Sequence, residues 1–366
     1  MQTKISFFAR TVFMHIYPMN KISQIVPYSF ILCVLVVIIH NPTSQYFDYG
    51  ANTSTYIVHY LINDAIPTIT SIAVPAFYII SAFLFFRNYR IQDTKKKLQS
   101  RIKTLVLPYL FWNLVGLLVA MTFKLPFIAS MSVDSSNPFD IITICKALFL
   151  HRYTPFWFVF GLIIYNLFCP IIYKICTNKL IGLSGGVILY MLICQNKIDN
   201  PLPEGCYFEV NSFFYYYVGA FVGVNYKHLL EYNISKRLAI VSLIVFLLLL
   251  WMQLNWHIKV VDLPPVVTLI KCILSWCMLY PLLTIIKTKW WMNLTFFIYA
   301  THIVSQRIIA TILRLHICKI ALPTSISESV VFTSSVVLAI CTCIWIAKYW
   351  KRKSEKTFVF VTGNRI

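Results

Sequence analysis

Apolar residues in this chain come in long runs separated by short polar segments. Ten runs reach spanning length: 24–40, 65–86, 105–123, 156–173, 180–194, 208–224, 238–254, 265–286, 294–312 and 329–347. Such runs predict helices that cross a bilayer, because lipid offers unpaired backbone groups no partners. The fifth, with Gly182, Gly185 and Gly186, is the shortest. The first lies in QIVPYSFILCVLVVIIHNP, residues 24–42, which is uncharged from Ile25 to Ile39 and closes with His40, Asn41 and Pro42. Counted from Lys21, a helix reaching His40 rises about 30 Å, the thickness of a hydrocarbon core. A positive charge then sits at one face of the membrane and an imidazole at the other. Ionisable groups at membrane depth are costly and tend to carry a function or a partner; a histidine hydrated at a helix end is the plain alternative.

Composition sharpens this into a fold class. Of 366 residues 59% are hydrophobic and only 12% charged, with a mean hydropathy of +0.73, where soluble chains are about 25% charged. The expectation is an all-α polytopic membrane helix bundle, one domain over 1–366 with its core at about 22–347 and a basic tail at 348–366. No polar segment is long enough to fold as a separate domain. Eleven cysteines are scattered singly. The closest pair, Cys341 and Cys343, points two ways on a helix. Without CxxC pairs or zinc-type spacing, neither a metal site nor a disulfide framework is expected. The first apolar run is followed by His-Asn-Pro and not by a small-x-small site, so no cleavable signal is expected.

The net charge of +20 raises nucleic acid as a partner, and its distribution argues against it. With the N-terminus inside, inner segments carry 23 Lys and Arg and outer segments 7, with Lys271 and Arg307 inside spans. Most acidic residues fall outside. The basic excess is thus a topology signal, giving an even number of spans and both termini in the cytoplasm. The loop FRNYRIQDTKKKLQSRIKT, residues 86–104, holds seven basic residues, more than any other inner loop. That density suits anionic headgroups or a phosphorylated small molecule. Two outer segments, 41–64 and 124–155, are long enough for a lid or an acceptor cleft, or are simply variable loops.

The order of motifs along the spans adds a family resemblance. The first helix ends in VVIIH. The second span carries Pro75, Phe77, Ser81 and Leu84; then come Arg101, Leu105, Pro108, Tyr109 and Trp112 in RIKTLVLPYLFW; Trp157 and Phe158 begin the fourth span; Gly219 lies in the aromatic-rich FFYYYVGAFVG; and Tyr299 and His302 sit in the ninth. This series resembles the transmembrane acyltransferase 3 family, bacterial inner-membrane enzymes that transfer acyl groups, usually acetyl, to surface glycans. The resemblance covers about residues 22–347. It departs at three places: Ser29 stands where the family often has Arg, Ser81-Ala82 replaces Ser-Gly, and Thr104 replaces a second Arg.

The resemblance implies an O-acyltransferase using acyl-CoA, most simply acetyl-CoA, as donor substrate, with no tightly bound cofactor. The acceptor is a hydroxyl of a cell-surface polysaccharide or lipid-linked glycan, and the location is the bacterial inner membrane. Transfer from a thioester to a hydroxyl needs a base, and histidine suits that task near neutral pH. His40 is the candidate base, its ring fixed by Asn41 or Asp48. His302, with Ser305 and Gln306 on a similar face, orients a substrate or polarises the thioester carbonyl. Arg307, about 140° round the helix, need not share the site and could snorkel outward. Arg101 and Lys103, helped by Arg87 and Arg90, are candidates for the donor phosphates. Ser81, Asn113, Trp157 and Tyr299 are candidates for acceptor contact or structural support. Since acyl-CoA is made inside and His40 is near the outer face, either the thioester reaches deep into the bundle or the acyl group is relayed. A transporter or flippase of a glycan or lipid is the competing class. Against it, no Asp or Glu lies at the centre of any predicted span, where proton-coupled carriers usually place one, and internal repeats are not evident. A non-catalytic partner of a glycan synthase is the third.

Overall fold

The computed structural model describes residues 24–42, 57–58, 60–123, 156–195, 209–317 and 323–364. All regular structure among them is helical, and each of the ten apolar runs holds a helix. In chain order these are α1 (Ile25–Ile39), α2 (Leu61–Phe86), α3 (Ile91–Val119), α4 (Trp157–Leu167), α5 (Cys169–Thr177), α6 (Lys179–Cys194), α7 (Val210–Asn225), α8 (Lys236–Asn255), α9 (Pro265–Ile285), α10 (Thr295–Ile317), α11 (Thr324–Lys353) and α12 (Glu355–Val361). Six of them, α2, α3, α8, α9, α10 (extended back to Trp290) and α11, are long and apolar enough to cross a bilayer, and α4 with α5 makes a seventh if the bent pair counts as one span.

The fourth run is not one straight helix. It bends by 64° between α4 and α5. Pro170 sits at the start of α5 and has no amide hydrogen to continue the ladder. Phe168, at the junction, leaves ideal helical geometry (φ −84°, ψ 5°). α5 then turns into α6 through Asn178, whose side-chain oxygen accepts from Leu180 N and Ile181 N.

α2 and α7 pack most closely, and glycine is the reason. A β-carbon on Gly219 would run into the backbone of Ile79, and one on Gly223 into that of Phe83. This contact places the aromatic ladder of α7 (Tyr215, Tyr216 and Tyr217) against the cores of α2, α4 and α6. α2 is itself irregular: a wide turn at Leu61–Ala65 precedes Pro67, and the helix loosens at Ser71–Ile72. The fully buried Lys271 of α9 meets that irregularity. Its Nζ donates to Thr68 O (2.8 Å), Gln253 Oε1 (3.1 Å) and Ser71 Oγ (3.3 Å). All three donors of the ammonium are used, so a charge inside a span is held by neutral oxygens.

The chain end folds back onto the bundle. Phe358 and Val361 of α12 are buried, and Trp112 Nε1 of α3 donates to Val361 O at 2.9 Å. Part of the basic segment at 348–366 therefore packs against the side of α3. α8, by contrast, keeps most of its apolar side chains exposed, from Leu238 to Trp251, as a lipid-facing helix does.

Candidate active site

α1 stops at His40 because Asn41 precedes Pro42, which disfavours helical geometry in the residue before it. Two contacts anchor the stop. The His40 ring hydrogen-bonds one turn back through Nδ1 to Val36 O (2.8 Å). Asn41 Nδ2 donates to Phe332 O (3.0 Å) and Ser335 Oγ (3.1 Å) of α11. The ring is thus set by its own helix, while Asn41 ties the helix end to a neighbour. Asp48 lies outside the described residues.

On α10, His302 is fully buried, and its Nδ1 faces Tyr299 O (2.8 Å) and Ile298 O (3.2 Å). The rings of His40 and His302 meet edge to face, with centroids 5.3 Å apart. A carbonyl can only accept, so in each histidine Nδ1 carries the proton and the neutral ring presents Nε2 as a lone pair. His302 Nε2 is buried and has no hydrogen-bond partner among the described residues. Held this way, a neutral His302 presents Nε2 as an acceptor.

A cavity of about 260 Å³ lies on the inner side of this pair, and neither histidine lines it. One end lies among Ile25 of α1, Leu84 of α2 and Arg101 of α3, the other among Val36, Val74 and Tyr299. Ile25 to Val36 is eleven residues of helix, about 16 Å of rise. Val36 carries the carbonyl that holds His40, and the Tyr299 ring lies 6.2 Å from that of His302. Most of the lining is apolar, with Ser29, Ser81, Asn166, Tyr216 and Thr295 between the ends. Tyr216 donates to Asn166 Oδ1 at 3.3 Å. At the far end the Arg101 guanidinium stacks over Phe85 (4.9 Å), and Lys97 lies over the same ring (4.9 Å) and donates to Phe85 O (2.8 Å).

The other expected residues are placed differently. Arg87 is 4.0 Å from the Glu231 carboxylate. Arg90 and Lys103 are exposed, and neither lines the cavity. Asn113 is buried, and its amide donates to Tyr109 O on its own helix (2.8 Å). Trp157 is half-buried against Tyr78, at 6.5 Å, outside the cavity wall. Ser305 back-bonds to Thr301 O (3.1 Å) and meets Cys343 of α11, so it leaves the histidine face. Arg307 is only half-buried, yet its charge acts on His40 and its Nε atom is buried, so it belongs to the surroundings of the site. Asn166, Tyr216 and Lys97 carried no assigned role in the sequence, and Gln306 was placed only on the same face as His302. Asn166 and Tyr216 looked like one polar residue and one aromatic in apolar runs, and only packing brings them to one wall.

A bundle of helices with several long apolar spans, and with two imidazoles packed together beside a cavity, is a multi-pass membrane protein. Residues 30–348 match the family described as an acyltransferase domain, and the chain belongs to that family. It is a membrane acyltransferase. No curated protein and no solved structure matches the chain.

Proposed function

We propose that the protein transfers an acyl group, in the simplest case acetyl, from acyl-CoA to a hydroxyl of a cell-surface or lipid-linked glycan at the bacterial inner membrane. The observation that carries this reading is the cavity that extends from Arg101 to Tyr299, whose ring neighbours that of His302 in the His40–His302 pair. Arg101, with Lys97 beside it, binds phosphate groups of the donor at the inner mouth. The pantetheine arm extends along the roughly 16 Å between Ile25 and Val36, past Ser81, Asn166 and Tyr216, and brings the thioester to Tyr299. In this reading the cavity carries the thioester of a cytoplasmic donor toward a base near the outer face, without a relay of the acyl group.

His40 is the general base. It ends its helix and is only half-buried, so an acceptor can reach it, whereas His302 is sealed. His40 Nε2 removes the proton of the acceptor hydroxyl as the oxygen attacks the thioester carbonyl carbon. The carbon–sulfur bond breaks, and the proton passes to the departing CoA thiolate. The Val36 carbonyl on Nδ1 holds the tautomer and favours the imidazolium formed on the way.

The test is His40→Gln, assayed with labelled acetyl-CoA and the glycan fraction of the host envelope. Removing a general base costs about a hundred- to ten-thousand-fold in rate, so the variant, present at wild-type level, loses transfer. Transfer at the normal rate by His40→Gln would place the base elsewhere, with His302 the first alternative.

A further inference from the structure

We infer that Asn166 and Tyr216 hold the pantoyl end of the donor's pantetheine arm. The inference rests on the acyl-transfer reading above and adds to it the pair that recognises the middle of the donor, between the phosphates and the thioester. Pantetheine is not a plain hydrocarbon. It carries two amides and, at the pantoyl end, a hydroxyl. Drawn into a mostly apolar cavity, these groups lose water, and each then needs a partner in the wall.

Asn166 and Tyr216 both line the cavity, and both are buried. α4 sets Phe158, Leu162 and Asn166 on the cavity wall at intervals of four residues, one line along the helix. The Phe158 ring lies 6.0 Å from that of Tyr299, at the thioester end. Asn166 is eight residues on, about 12 Å of rise away. Tyr216 reaches it from α7 at 3.3 Å, and the Arg101 charge acts on the Tyr216 hydroxyl. The pair therefore sits between the thioester and Arg101, toward the arginine. Reach decides which part of the arm meets it. In an extended arm the cysteamine amide nitrogen is three bonds from sulfur, roughly 4 Å, and the pantoyl amide nitrogen is seven bonds away, roughly 9 Å, with the pantoyl carbonyl and hydroxyl just beyond. The pantoyl end, not the cysteamine end, comes level with Asn166.

The hydrogen bonding of the pair fits that occupant. Asn166 donates one N–H to Leu162 O on its own helix and accepts from the Tyr216 hydroxyl. Its second N–H can donate to the pantoyl carbonyl, and the lone pairs of the Tyr216 oxygen can accept from the pantoyl amide or hydroxyl. At 3.3 Å the Tyr216–Asn166 bond is longer than the about 2.7–2.8 Å of a well-formed O–H···O contact, so the two groups are not closed on each other.

The experiment measures kcat and KM of wild type, Tyr216→Phe, Asn166→Leu and Arg101→Ala in membranes, with the host envelope glycan fraction as acceptor and two donors, acetyl-CoA and S-acetylpantetheine. The second donor keeps the pantoyl end and lacks the phosphates. Tyr216→Phe and Asn166→Leu are expected to raise KM for both donors by about three- to tenfold, with kcat within about twofold. Arg101→Ala is expected to raise KM for acetyl-CoA and not for S-acetylpantetheine. A bond that only ties α4 to α7 would act otherwise, lowering melting temperature and kcat while KM holds. An unchanged KM for acetyl-CoA in Tyr216→Phe, which removes one oxygen and keeps the ring, overturns the inference whatever Asn166→Leu does. So does a rise confined to acetyl-CoA, which would assign the effect to Arg101 and the phosphates. Wild type that makes no use of S-acetylpantetheine also overturns it, since the pantoyl end would then have no hold of its own. If wild type transfers nothing from acetyl-CoA, or His40→Gln remains active, the acyl-transfer reading fails instead.

Discussion

At the scale of single residues, charge and tautomer decide the roles. Arg101 and Arg87 are both arginines near the end of α2, yet only Arg101 faces the cavity, while Arg87 lies beside Glu231. A charge-assisted hydrogen bond is worth about 1.5–3 kcal/mol, so Arg101→Ala should raise KM for acyl-CoA by about tenfold or more. Arg90→Ala and Lys103→Ala, at exposed positions off the cavity, should change it less than twofold. Steady-state kinetics at equal protein level checks this, and an equal effect at all three positions would put the donor on the loop surface. Ser29 sharpens the point. It lines the same cavity where the family resemblance leads one to expect an arginine, so among the described lining residues Arg101 carries the positive charge.

At the scale of elements, the helices are shaped by what they meet. α2 is irregular where Lys271 meets it, α4 and α5 break at Pro170, and α7 reaches α2 only because glycines let the backbones touch. Gly219→Ala would force a β-carbon against the Ile79 backbone, which cannot rotate out of the way. Overpacking of this kind costs about 1–3 kcal/mol. The variant should melt lower and accumulate less in the membrane. Gly186→Ala is the control: its nearest neighbour would be the edge of Tyr217 at 3.4 Å, an ordinary contact. Thermal melts of the two detergent-solubilised proteins separate them, and equal melting points would mean that α2 and α7 are not held in close contact.

At the scale of the whole molecule, the basic residues set the orientation. The excess of Lys and Arg on one set of loops predicts that a reporter fused after Lys353 is cytoplasmic, and that Ser135→Cys is labelled from outside by an impermeant reagent. Labelling only after permeabilisation would invert the bundle and place the His40 end on the cytoplasmic side. The same orientation predicts that the Arg101 end of the cavity lies on the cytoplasmic side.

Much of this was legible in the linear pattern. Apolar runs and their lengths depend only on local chemistry, so a helix in each of the ten runs, the class of the bundle and the end of α1 at His40 follow from the chain read by itself. The identities of His40, His302 and Arg101 as candidates came the same way, helped by the order of family motifs. What the pattern could not carry was which of these side chains meet. In a membrane helix nearly every position is apolar, so periodicity does not mark the inward face as it does in a soluble amphipathic helix. The rotation of each helix is set instead by small residues, breaks and polar anchors on its neighbours, such as Gly219 against Ile79 and Asn41 against Ser335. Tertiary packing alone therefore brought His40 to His302, turned Arg101 into the cavity while Arg87 went to Glu231, and set Asn166 and Tyr216 together on one wall.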